Sequence, residues 1–116
     1  MRVLVPIRTA RGGNNREHPM VRHRRVVAER YATGIFLNVA RRPALPLTCT
    51  LTRHAPSNGL DDDNLRGALK AVRDQVAQWL GIDDRDPRCA WRYAQQRTSK
   101  WGVLIEFEEG QRNGKT

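Results

Sequence analysis

The sequence predicts an α+β fold: a small mixed or antiparallel sheet packed with two main helices, forming one domain over residues 1–116. Three observations carry this. Leu47, Cys49 and Leu51 alternate with Thr48, Thr50 and Thr52 at the period of a strand. Leu65, Leu69, Val72, Val76 and Leu80 recur at the period of a helix. The chain has 116 residues, 39% of them hydrophobic, with no internal repeat and no linker. A domain of that size buries roughly 65% of its unfolded surface in one core. The mean hydropathy of -0.69 makes that core thin, so dimerisation would help it.

The elements follow in order. Arg2 to Arg8 reads as a short strand, and Thr9 to Pro19 as a loop turning at Gly12-Gly13-Asn14-Asn15. Met20 to Val39 has Val21, Val26, Val27, Tyr31, Ile35 and Val39 broadly at helical spacing, which predicts a helix weakened near Gly34. Its other face carries Arg22, Arg24, Arg25 and Arg30. Arg41-Arg42-Pro43 to Pro46 ends it, and the Leu47 strand follows. His54 to Leu60 is a loop, and the second helix then runs to Gly81, a residue suited to a left-handed stop. Cys89, Trp91, Tyr93 and Gln95 form one alternating segment and Val103, Ile105 and Phe107 another. The short Thr98–Lys100 connection predicts that these two pair as an antiparallel hairpin. From Glu109 the tail is polar.

The formal net charge of +9 is unevenly placed. Residues 1–60 carry 11 Arg against Glu17 and Glu29, whereas residues 61–116 balance 10 basic with 10 acidic side chains. Of the 21 basic residues 18 are Arg, whose planar fork suits bidentate contact with phosphate. A GC-rich genome would also favour Arg over Lys, but it would not confine the excess to one half. A nucleic-acid backbone is therefore the expected acidic partner, ahead of an acidic protein or a membrane surface. Cys49 and Cys89 lack metal or secreted-scaffold spacing and read as reduced core thiols. Neither a membrane span nor an export signal is visible, so the expected compartment is the cytoplasm, and no organic cofactor is expected.

Against that basic background six carboxylates stand in two clusters, Asp61-Asp62-Asp63 and Asp83-Asp84-Arg85-Asp86. Asp61 and Asp63 lie at a strand-to-helix junction, where extended backbone points both to one side and the helix N-terminus favours their ionised forms. Hard oxygen pairs of this kind suit Mg²⁺ or Mn²⁺. Asp at a helix start is equally a common N-cap, and the later cluster read alone is a solvated turn. A straight helix of 18 residues is roughly 27 Å long. Its two ends share an ion only if the chain after it doubles back, or if a second protomer supplies one cluster. His18, His23 and His54 have no metal spacing.

The run Leu60-Asp61-Asp62-Asp63-Asn64-Leu65, the amphipathic helix ending in Gly81-Ile82-Asp83-Asp84, and Trp91 to Lys100 with its closing strand together resemble the RusA family of Holliday junction resolvases. Arg11 to His18, with Asn14-Asn15-Arg16, is similar to that family's loop after the first strand. The resemblance covers nearly the whole chain. It implies the RusA-like fold of a phage-derived family, in a bacterial or phage-encoded protein, and a homodimer that resolves Holliday junctions or related branched DNA by paired nicks during recombination and repair. It makes Asp61, Asp63 and Asp84 the metal-binding catalytic carboxylates for Mg²⁺ or Mn²⁺, with Asp86 second choice for the third. Arg11, Asn15, Arg16, Arg22, Arg24, Arg25 and Lys100 would contact DNA. One departure stands out: the family's lysine one turn after the second aspartate is Gly67 here, and Lys70 or Arg66 would have to substitute. The alternative is a noncatalytic DNA-binding protein on the same scaffold.

Overall fold

The computed structural model describes residues 1–9 and 18–110. The order is β1 (Arg2–Val5), α1 (Pro19–Asn38), β2 (Leu47–Ala55), α2 (Asp62–Leu80), β3 (Cys89–Arg97) and β4 (Gly102–Glu109). The α+β expectation is met by two helices and one four-stranded mixed sheet in the order β1-β4-β2-β3. The expected loop turn at residues 12–15 lies outside the described residues.

β1 is shorter than expected, because Pro6 has no N–H to continue a ladder and Ile7 N–H turns back onto the Val5 carbonyl at 2.9 Å. The expected β3–β4 hairpin does not form. β3 pairs in parallel with β2, from Leu47↔Cys89 to Ala55↔Arg97, while β4 lies antiparallel between β2 and β1. Residues 98–101 carry the chain across the end of β2, where Thr98 N–H bonds the Ala55 carbonyl at 3.0 Å. Alternation in β3 reported which face is buried; it carried no information about which neighbour it would join.

Both helices cover the same face. One core joins Leu37 of α1 and Leu65, Leu69, Val72, Val76 and Leu80 of α2 to Val3, Val5, Leu47, Cys49, Leu51, Cys89, Val103, Ile105 and Phe107. Every strand residue in that set shares one parity of the registers. Leu69, Val72 and Val76 are completely buried, and each such side chain contributes about 1.5–3 kcal/mol. α2 is also well terminated. Asp61 caps its N-terminus, and Gly81 at φ 76° closes it by donating to Gln78 while Ile82 donates to Ala77. Cys49 and Cys89 are free and buried; burial, with Asp86 nearby, pushes the Cys89 thiol up to about 11.

α1 corrects the expected phase. Its buried residues are Glu29, Thr33 and Leu37, whereas Val21, Val27, Tyr31, Ile35 and Val39 face solvent, Tyr31 at 72% and Val39 at 86% exposure. Apolar residues spread around this helix, and the narrow side that meets α2 uses small and polar groups. The helix runs unbroken through Gly34, where an added Cβ would lie 3.3 Å from the Gln75 side chain, so the glycine permits close approach of the two helices. Among the described residues no helix is long and apolar enough to cross a membrane.

Candidate metal and nucleic-acid site

The carboxyl ends of the parallel strands β2 and β3 open toward the start of α2, and loop 56–61 joins them there. Gln95 of β3 pins this loop with its amide, accepting from Leu60 N–H at 2.8 Å and donating to the Leu60 carbonyl at 2.7 Å. Gly59 packs closely beside it: an added Cβ would lie 3.1 Å from the Gln95 oxygen and press on the amide that pins the loop. The loop delivers Asp61, whose Oδ1 accepts from Asn64 N–H at 2.9 Å, and then Asp62 and Asp63 in the first helical turn. All three are exposed. Capping uses Oδ1 of Asp61, and Oδ2 has no hydrogen-bond partner among the described residues.

The second cluster is committed differently. Asp84 Oδ2 accepts from Arg73 Nη2 at 2.7 Å, and Arg73 Nη1 donates to the Tyr93 hydroxyl at 2.6 Å. Trp91 Nε1 donates to the Asp84 carbonyl at 3.1 Å, and the Arg73 guanidinium lies 5.6 Å from the Trp91 ring centre. Arg73 first, and then Asp83, holds the Asp84 carboxyl below its ordinary value. Asp83 accepts from Arg85 N–H in a tight turn. Asp86 takes two side-chain bonds and one backbone bond from Arg88, which bring its pKa down to about 2.

The chain after α2 does double back, far enough for Asp84 to reach Arg73. Asp63 and Arg73 are still ten positions apart, about 15 Å of helix. Asp84 is not brought to Asp61 and Asp63 within one chain, and the extended backbone expected to point those two to one side ends at Asp61: Asp63 lies in the first turn of α2, where residues two apart do not face each other. Among the described residues no group of three or more His, Cys, Asp or Glu side chains could hold a metal ion.

The basic candidates divide too. Lys70 reaches one turn onward to Asp74 at 2.9 Å, away from the acidic turn, so it does not stand in for the lysine replaced by Gly67. Arg25 pairs with Glu29 at 3.2 Å, and Arg30 bonds Gln75 and Gln78 of α2, so these two serve α1 and its packing. Arg22 and Arg24 are exposed on α1, and Lys100 is exposed in the β3–β4 connection. Arg11, Asn15 and Arg16 lie outside the described residues.

Two features were missed in the sequence. A cleft of about 360 Å³ lies between the first turns of α2 and β3, lined by Asp62, Leu65, Arg66, Trp91, Arg92 and Tyr93. The Arg66 guanidinium sits 5.6 Å from the Tyr93 ring centre there. The other is Arg53, 3% exposed on the core-facing parity of β2, in register with Gln95 and Val103. Its signal was readable: the apolar row Leu47, Cys49, Leu51 continues to Ala55 but is interrupted by a charge. The chain matches none of the protein-family models and none of the curated proteins with which it was compared.

Proposed function

We propose that this protein is a metal-dependent endodeoxyribonuclease acting on branched DNA, Holliday junctions among them, by paired nicks from a homodimer. The observation that carries the reading is the exposed acidic turn Asp61-Asp62-Asp63 where the chain passes from the carboxyl end of β2 into α2, with Asp62 lining the aromatic cleft beside Arg66 and Arg92. An acidic pair set among arginines suits a phosphodiester and a divalent cation together. Mg²⁺, or Mn²⁺, is coordinated through one or two carboxylates with several waters retained, so Asp61, through the oxygen not used in the cap, and Asp63 would each supply it a ligand. When bound, such an ion supplies activated water and charge stabilisation for in-line attack on phosphate. Arg66 and Arg92 hold the backbone, and the Tyr93 and Trp91 rings offer a stacking surface for a base displaced at the branch point. Asp84 takes part only on release from Arg73.

Homodimerisation is supported by α1, whose Val27, Tyr31, Ile35 and Val39 form an i,i+4 row open to solvent. A twofold dimer would match the paired scissile phosphates of a four-way junction. The second reading, a noncatalytic DNA-binding protein, is favoured by Gly67 and by the Asp84–Arg73 pair. One gel series separates them: junction, flap and duplex substrates, with and without Mg²⁺ or Mn²⁺. Metal-dependent nicks in the junction support the nuclease. Salt-sensitive binding with no cleavage in either metal rejects it in favour of the second reading.

A further inference from the structure

Arg53 is a cation taken almost wholly out of water. It is 3% exposed, and among the described residues no carboxylate pairs with it. Its Nε donates to the Thr9 hydroxyl at 3.1 Å, and its guanidinium lies 5.4 Å from the Trp101 ring centre. Arg8 approaches the same ring at 4.8 Å, which adds positive charge to the neighbourhood. Burial pushes the Arg53 pKa down, against the charged form. An arrangement of this kind is costly unless something anionic completes it.

The space for that completion is present. Arg53 lines a cavity of about 150 Å³ with Ser57, Asn58, Gly59, Gln96 and Arg97. Only its Nε has a hydrogen-bond partner among the described residues, so the two Nη nitrogens of this cavity-lining side chain have none there. The volume is well below the roughly 300 Å³ at which pockets for organic ligands begin. It is suited to a small oxyanion. Its position is where open sheets bind phosphate groups: outside the carboxyl ends of parallel strands and before the helix that connects them. Arg53 would offer its planar fork and Arg97 a second cation, a pairing that favours phosphate over a singly charged carboxylate.

We propose that Arg53 and Arg97, with the Ser57–Gly59 loop, form a phosphate-binding site. It rests on the nuclease reading in one respect: the phosphate is assigned to a DNA backbone held next to the Asp61–Asp63 pair. The site itself does not require catalysis.

The test uses the full chain. Thermal unfolding is followed in inorganic phosphate and in chloride of matched ionic strength, for wild type, Arg53→Met, Arg53→Lys and Arg97→Met. Wild type is expected to show a saturable, phosphate-specific rise. At phosphate ten times its dissociation constant the folding equilibrium shifts about tenfold, or roughly 5 °C in Tm. Arg53→Met should lose the response while remaining at least as stable as wild type in chloride, because a buried unpaired charge has been removed. If that variant does not fold, Arg53→Lys and the surface change Arg97→Met carry the test, each expected to weaken phosphate several-fold. A wild type with no phosphate-specific rise, or variants that all keep it, overturns the site. Titration of a four-way junction at fixed salt then identifies the source. Affinity about tenfold weaker in the Arg53 variants assigns the phosphate to DNA, whereas unchanged affinity beside an intact phosphate response assigns the site to free phosphate or a nucleotide. Absence of metal-dependent nicking with the phosphate response retained rejects the nuclease and keeps the site.

Discussion

The two carboxylate clusters are alike in composition and opposite in use. Asp61, Asp62 and Asp63 are exposed at the positive end of a helix dipole, and the one described hydrogen bond to their side chains is the Asp61 cap. Asp83, Asp84 and Asp86 are bound into the return from α2 by Arg73, Arg85 and Arg88. Carboxylate density in a sequence therefore does not mark a ligand set. What matters is which groups find a guanidinium or an N–H inside the fold: in the first cluster Asp61 has only the Asn64 N–H, and among the described residues none of the three is paired with a guanidinium.

The strongest way to break this contrast is to compare Asp63→Asn with Asp84→Asn. Under the proposed function, Asp63→Asn should reduce metal-dependent junction nicking at least about a hundredfold with the thermal midpoint unchanged, a loss on the scale of a removed electrostatic contact in an active site. Asp84→Asn should reduce it less. Equal losses in single-turnover assays would show that Asp84 leaves Arg73 to join the ion.

Arg73→Met comes next. It removes the bonds to Tyr93 and Asp84 and the contact with Trp91, while relieving an Nε that is buried without a partner. The balance is a loss of about 1–2 kcal/mol in urea unfolding. A neutral result would mean that the second cluster is ornamental to the fold.

The cap gives a smaller and more discriminating effect. Asp61→Ala should lower stability by about 1 kcal/mol, whereas Asp61→Asn, which can still accept from Asn64 N–H, should cost only a few tenths. Equal costs for the two would deny Asp61 its capping role.

The smallest effect is in acid. Arg88 depresses the folded-state pKa of Asp86 to about 2, below the ordinary value of about 4. The ionised group thus favours the folded state fully above about pH 4, and that contribution is lost as pH falls toward 2. Urea midpoints between pH 5 and 2 should fall more steeply in wild type than in Asp86→Asn. Parallel curves would remove Asp86 from the set of tied carboxylates.

Legibility in the sequence followed the strength of the physical constraint. Leu65, Leu69, Val72, Val76 and Leu80 fixed α2 because one face of it is buried along its whole length, and Gly81 marked its end because the left-handed turn there favours glycine. α1 was recognisable as a helix but not in its phase, since Val27, Tyr31 and Ile35 are as apolar as a core row yet face outward. Strand pairing was not legible for β3, where Cys89, Trp91 and Tyr93 face the core equally well beside either neighbour. For the site, residue types identified Asp61 and Asp63 but could not show that Asp84 has Arg73 as a partner eleven residues upstream. Arg53 was overlooked because charge counting treated each arginine as surface, although its place in the β2 alternation put it inside.

The sheet order has a consequence for how the chain reaches its native state. β4 follows every other described strand in the sequence, yet it occupies an inner position and supplies the pairing edge for both β1 and β2. Until residues 102–109 arrive, β1 has no strand partner and one edge of β2 stays open, however well β2, α2 and β3 have formed. Sheet closure joins residues about a hundred positions apart, as Val3 to Ile105, a contact order that belongs to slow folders. During synthesis the β2-α2-β3 unit would therefore wait with an unpaired edge, exposed to other nascent chains, and β4 would act as the latch that ends that exposure.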